Sequence, residues 1–168
     1  MVAPKLPRAL KHFNIYVDGI PYQEKCESVT LPNLNFVVES FRAGGMDAPV
    51  GIEMGMEELT LSMTILDCSE ELLSLLGQYN IDISLRGVAQ AQGAPEEGIV
   101  ISMRGFCKGY EYGQWQPGTK AIATLNYTLH YFKYVQKEKE IVEIDIHNMV
   151  RKFNGIDQLA QHRNLLGI

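Results

Sequence analysis

Along most of the chain, apolar and polar residues alternate one for one. Phe13, Ile15 and Val17 share one face of residues 12–18. Leu59, Leu61, Met63 and Ile65 alternate with Glu58, Thr60, Ser62 and Thr64, and Ile81, Ile83 and Leu85 alternate with Asp82, Ser84 and Arg86. Ile99, Ile101 and Met103 lie opposite Val100, Ser102 and Arg104. In residues 121–134, Ala123, Leu125, Tyr127, Leu129 and Tyr131 face one way, and Thr124, Asn126, Thr128 and His130 the other. A period of two marks strands with one greasy and one polar face.

Turn residues punctuate these runs: Asp18-Gly19, the loop 93–98, Gln116-Pro117-Gly118, and the charged tip 137–140 before a strand over 141–146. Two segments read as helices. Residues 69–77 open on Ser69, carry Glu70 and Glu71 in the first turn where the helix dipole favours them, and close on Gly77. Residues 156–166 carry a stripe of Ile156, Leu159, Ala160 and Arg163 and stop at Gly167, and residues 148–153 read as a further helical turn. The sum predicts one mainly β domain over 1–168, an antiparallel β-sandwich or barrel with one or two flanking helices.

Two features depart from an ordinary sandwich. Residues 50–66 and 120–136 read as strands of about 15 residues, against a usual 5 to 6. Their polar faces carry Ser, Thr and Asn rather than the charges that protect exposed sheet edges. Long strands with mild faces predict sheets that continue from one subunit into the next.

Composition narrows the class. Apolar residues make up 46% and charged residues 21% of the 168, which excludes a disordered tail and a collagen-like rod. No apolar run approaches the roughly 20 residues that span a bilayer, so no membrane insertion is expected. The first ten residues lack a signal-peptide core, so export by the usual route is not expected. Cys26, Cys68 and Cys107 are widely spaced and read as free thiols. A net charge of −5 argues against gripping nucleic acid through its phosphates.

Candidate chemistry is sparse. There is no serine elbow, phosphate loop or H-E-x-x-H helix. Asp145 and His147, two apart on one predicted strand face, are a potential metal pair without a third ligand. Arg86 and Arg104 on facing strands are placed to pair with Asp82. Tyr110, Tyr112 and Trp115 have the look of a stacking platform, but without a basic surround they read as core or interface packing. No cofactor and no catalytic residue is expected.

Four segments carry a family resemblance. They are Phe13-Asn-Ile-Tyr-Val-Asp-Gly19, Thr30-Leu-Pro-Asn-Leu34, the glycine-methionine-proline run from Arg42 to Glu57, and the C-terminal run from Ile144 to Ala160 with Arg163 beyond. Together they resemble the major tail tube proteins of contractile-tailed phages, and the similarity runs end to end. The resemblance implies a tail tube fold with six subunits per ring, inner strands joined into one barrel around a channel, and rings stacked inside a sheath. It implies a tube that carries DNA into the host without binding it specifically, or, in a tailocin, perforates the envelope. The implied partners are further copies of the chain, the tail sheath protein, and baseplate and tail terminator proteins. The implied location is a virion tail or tailocin particle assembled in the host cytoplasm.

Within that frame, residues 42–49 form an inter-subunit arm, with Arg42, Gly44, Gly45, Met46, Asp47 and Pro49 as its contact residues. Asp145, Asn148, Met149, Arg151, Gly155 and Asp157 are the implied C-terminal family motif, and residues 148–168 are expected to be a C-terminal helical segment. Thr60, Ser62 and Thr64, or else Asp82, Ser84 and Arg86, are expected to line the channel. The alternatives are a secreted tube protein of type VI kind, a small β-barrel binding module, or an enzyme on a sandwich, which the empty motif search disfavours.

Overall fold

A computed structural model describes residues 6–168. The alternating runs become antiparallel strands: β1 (Arg8–Val17), β2 (Ile20–Pro21), β3 (Cys26–Thr30), β4 (Phe36–Phe41), β5 (Val50–Met56), β6 (Leu59–Ile65), β7 (Ile81–Ala91), β8 (Glu97–Tyr112), β9 (Ala123–Gln136), β10 (Lys139–Asp145), β11 (Val150–Phe153) and β12 (Ile156–Asp157). Two helices, α1 (Glu70–Ser74) and α2 (Ala160–Leu166), complete the described chain. Among the described residues, no helix is long and apolar enough to cross a membrane.

One sheet runs β12-β11-β10-β9-β8-β7-β1-β2, with β6 added to β9 and β3 added to β6. The two longest strands, β8 and β9, serve both layers of the sandwich. Residues 123–129 of β9 pair with β6, whereas residues 131–136 pair with β10. The change-over falls at bulges, between Arg104 and Gly105 and again between Cys107 and Gly109 of β8. Bulges bend strands and let them turn from one layer into another.

The inward faces then meet. Leu59, Leu61, Met63, Ile65, Leu125 and Leu129 from one layer join Ile15, Val17, Ile83, Ile101, Met103 and Ile144 from the other in a single buried cluster. Leu72 of α1 plugs it and is fully buried.

Several boundaries differ from the sequence reading. Residues 50–66 are not one strand: β5 and β6 are separated at Glu57-Glu58, and among the described residues β5 pairs only with β4, in a two-stranded hairpin outside the main sheet. Gly55, at φ +105, breaks the extended path just before. Residues 148–153 do not form a helical turn but a turn followed by β11, and residues 156–157 are a strand, so the C-terminal helix begins only at Ala160. The segment 148–168 is therefore strand, strand and a seven-residue helix. Asp145 pairing with Val150 closes that hairpin, so strand pairing outcompetes helix propensity there. Tyr131 is on the opposite face from Leu129. His130 has no partner in β8, where Arg104 faces Tyr131 and Gly105 faces Leu129, and the extra residue reverses the alternation. Ser69 does precede α1 but makes no side-chain cap.

Candidate assembly surface

The β4–β5 hairpin stands apart from the sandwich in composition and burial. Its strands carry Phe36, Val37, Val38, Phe41, Val50, Ile52 and Met54, all exposed, with Val38 and Met54 at 59%. Monomeric proteins seldom leave so contiguous an apolar surface in water. Gly51 lets the two strands close up, because a Cβ there would press on the Val38 side chain.

The loop at the tip comprises residues 42–49, between β4 and β5. Arg42 Nε donates to the Met46 carbonyl at 3.2 Å, and Met46 is half-buried. Gly44 and Gly45 make the turn with open space around them, and Asp47 and Pro49 are exposed.

The C-terminal motif residues form a polar clasp. The Asp145 carboxylate accepts the Asn148 backbone N–H at 3.0 Å and its side-chain amide at 2.7 Å, and these bonds hold its carboxyl below the usual range despite partial burial. Met149 sits at φ +52 in that turn, and its carbonyl accepts from Arg163 at 2.8 Å. Gly155, at φ +82, makes the β11–β12 turn. Asp157 accepts from Arg163 at 2.6 Å and from the Leu159 N–H at 3.1 Å, and the Arg163 bond lowers its carboxyl to about 2. Arg151 reaches from this clasp to the hairpin, where it meets Glu53 at 2.9 Å.

The polar faces of the sandwich are of two kinds. On the layer β3-β6-β9-β8, Thr60 faces Thr128, Ser62 lies between Thr30 and Asn126, and Thr64 lies between Ser28 and Thr124. This hydroxyl and amide face has few charges, and they are held: Lys108 by Glu58 at 3.0 Å, with Thr128 donating to the same carboxylate at 2.6 Å, and Glu111 by Asn126 at 2.8 Å. A depression of about 520 Å³ lies along it. The face around β7 and β10 carries more charges, with Arg104 on Asp82 at 2.7 Å, Lys133 on Glu140 at 2.8 Å and Lys152 on Glu143 at 2.8 Å. Arg104, not Arg86, takes the Asp82 carboxylate.

The hydroxyl layer also ends in open edges. Among the described residues, no strand pairs with the far side of β3. Gly77 and Gln78 cover β8 as far as Cys107, and residues 109–112 beyond them pair only with β9. Tyr110, Tyr112 and Trp115 do cluster at that edge, edge-to-face at 5.0 and 6.0 Å. Tyr112 and Trp115 are exposed.

The remaining candidates lack chemistry. His147 follows the end of β10 rather than sharing its face, and its ring packs on His130 at 4.6 Å. Burial, then His147, then Arg104 pull the His130 pKa down. No three His, Cys, Asp or Glu side chains are grouped to hold a metal among the described residues. Burial pushes the Cys26 thiol up to about 11 and raises Cys107 as well, so neither is a thiolate at neutral pH.

Sequence reasoning missed β4, Glu53 and the Arg151–Glu53 link. The signal for the hairpin was available: two apolar segments flanking a glycine loop. Apolar residues on both faces of 36–41 hid the period of two.

Comparison with known proteins gives four findings. Residues 7–167 match the family model described as phage tail tube protein FII. The chain is 32% identical to the tail tube protein of Escherichia phage P2, over 97% of this chain and 99% of that protein. It is 29% identical to the major tail tube protein of Serratia phage KSP20, over 89% and 90%. In fold it is similar to a chain of the PVC sheath-tube complex, an extracellular contractile injection system in its extended state. There the TM-score is 0.58 at 12% identity, over 80% of this chain and 93% of that one.

Proposed function

The chain belongs to the phage tail tube protein FII family, and from that premise we propose that its copies join into six-membered rings stacked as a contractile tail tube. It is a structural subunit of such a tube and not an enzyme. The tube forms the channel for DNA passage into the host or for envelope perforation. Its other partners are the tail sheath, baseplate and tail terminator proteins. It is a component of the virion tail, assembled in the host cytoplasm.

The observation that supports polymerisation most is the β4–β5 hairpin, whose apolar side chains are left in water by the single chain. Burial against another copy removes that exposed apolar area from water, the dominant favourable term in association. Residues 42–49 at its tip, with Arg42, Gly44, Gly45, Met46, Asp47 and Pro49, reach a neighbouring ring. Within a ring, the open edge of β3 pairs with residues 109–112 of β8 on the next copy, which closes the sheet and abolishes both edges. The Ser, Thr and Asn face lines the channel, because Lys108 on that face is already held by Glu58 and hydroxyls and amides give a polyanion little to grip.

Electron microscopy of concentrated protein tests the reading. Hollow tubes with six-fold end views are expected, and deletion of residues 43–48 is expected to leave rings without tubes. A folded chain that stays monomeric by light scattering at high concentration would contradict polymerisation. Tubes that survive the deletion would remove the tip from the inter-ring joint.

A further inference from the structure

We infer that Arg151 is the positioning residue of the assembly arm: from β11 it struts the β4–β5 hairpin and sets its angle before a second copy arrives. This rests on reading the hairpin as the arm. Arg151 is the buried charged residue of the described core, 8% exposed, whereas its partner Glu53 is half-exposed. Its guanidinium grips Glu53 with both prongs, Nη1 to Oε1 at 2.9 Å and Nη2 to Oε2 at 3.4 Å. A planar fork on a carboxylate fixes direction as well as distance. The same guanidinium lies over the Phe36 ring of β4, 5.0 Å from its centre, and Phe36 packs on Phe153 of β11 at 6.4 Å. One side chain therefore gathers both strands of the hairpin against the C-terminal clasp.

Among the described residues, neither hairpin strand pairs with a strand of the main sheet. Its root is held by the Glu57 N–H on the Asn35 carbonyl at 3.0 Å and the Asn35 amide on Glu57 at 3.1 Å. A root alone is a hinge; a second fixed point further along makes a strut. Glu53 is itself aimed, since it also accepts the Gly55 N–H at 3.0 Å, and Gly55 holds a φ that favours glycine.

Stability alone does not explain an arginine there. Its Nε is buried without a partner, which costs free energy that an apolar residue of the same length would not incur. What the fork supplies, and a methionine would not, is orientation.

The test uses the full chain with Arg151→Met, and with Glu53→Ala as a second variant that breaks the pair from its exposed side and leaves the buried position untouched. Amide exchange is measured on dilute subunit, and tube growth by sedimentation. Exchange over residues 36–56 is expected to rise about tenfold while β6, β8 and β9 keep the parent rates, with Arg151→Lys in between. The concentration needed for tubes is expected to rise about tenfold, a coupling of about 1.4 kcal/mol. Unchanged exchange in the hairpin of both variants would overturn the strut. So would a loosened hairpin with tube growth at the parent level. Deletion of residues 43–48 separates the two claims: tubes that survive it refute the arm, while the exchange result still decides Arg151.

Discussion

The β4–β5 hairpin and the layer β3-β6-β9-β8 draw on the same residue types and treat them oppositely. In β6, Leu59, Leu61, Met63 and Ile65 are 0–1% exposed and the residues between them are polar. In β5, Val50, Ile52 and Met54 are each at least 46% exposed, with no opposing layer. Apolar content therefore does not decide burial; an opposing face does. The layer finds its face within the chain and buries its apolar side as a monomer, leaving only strand edges open. The hairpin has none, so its apolar surface contributes to stability only when another molecule covers it. Substitutions should accordingly divide into those that cost folding and those that cost assembly.

Breaking the sandwich gives the largest effect. Leu61→Ala is expected to lower subunit stability by about 2–5 kcal/mol by opening a cavity in the shared core, read as a fall in the urea midpoint. Gly105→Ala follows, at about 1–3 kcal/mol. Its new Cβ would press on the Thr128 carbonyl and on Leu129 at the crossing where β8 and β9 change layers. A stability within about 0.5 kcal/mol of the parent would show that this crossing adapts.

The hairpin should invert the pattern. Ile52→Ser is expected to change subunit stability by less than about 0.5 kcal/mol yet suppress tube growth in sedimentation assays. A large loss of subunit stability would mean that the hairpin belongs to the folding core after all.

The smallest effect sharpens the role of the clasp. Arg163 holds the Asp157 carboxyl depressed to about 2 in the folded chain. The stabilisation is therefore present above the unfolded value of about 3.9 and disappears as pH falls towards about 2. Asp157→Asn should flatten the acid side of the stability profile between about pH 4 and pH 2. An identical profile would remove Asp157 from the acid response.

The regions legible in sequence were those governed by one local rule. Alternation placed Ile15, Leu61, Ile83, Met103 and Leu125 inside, because a half-buried strand enforces a period of two. The alternation of β9 failed at His130, where a bulge set by pairing with β8 reverses the faces and no local signal marks it. The C-terminal segment failed for a similar reason: residues 150–153 pair with β10 across a turn fixed by Asp145 and Asn148, and pairing overrides helical spacing. The tip 42–49 was readable from its glycines. Strand β4 beneath it was not, since apolar residues on both faces of 36–41 erase the strand signature. Arg151 was marked as part of a motif, but its partner Glu53 lies 98 residues away, beyond any spacing rule.

A cryo-electron reconstruction of the assembled protein at side-chain resolution tests the account most directly. The account predicts Val38, Phe41 and Ile52 buried against another copy, β3 paired with residues 109–112 of a neighbour, and Thr60, Ser62 and Thr64 facing the channel. A hairpin left in solvent, or a channel lined by Arg86 and Arg104, would contradict it.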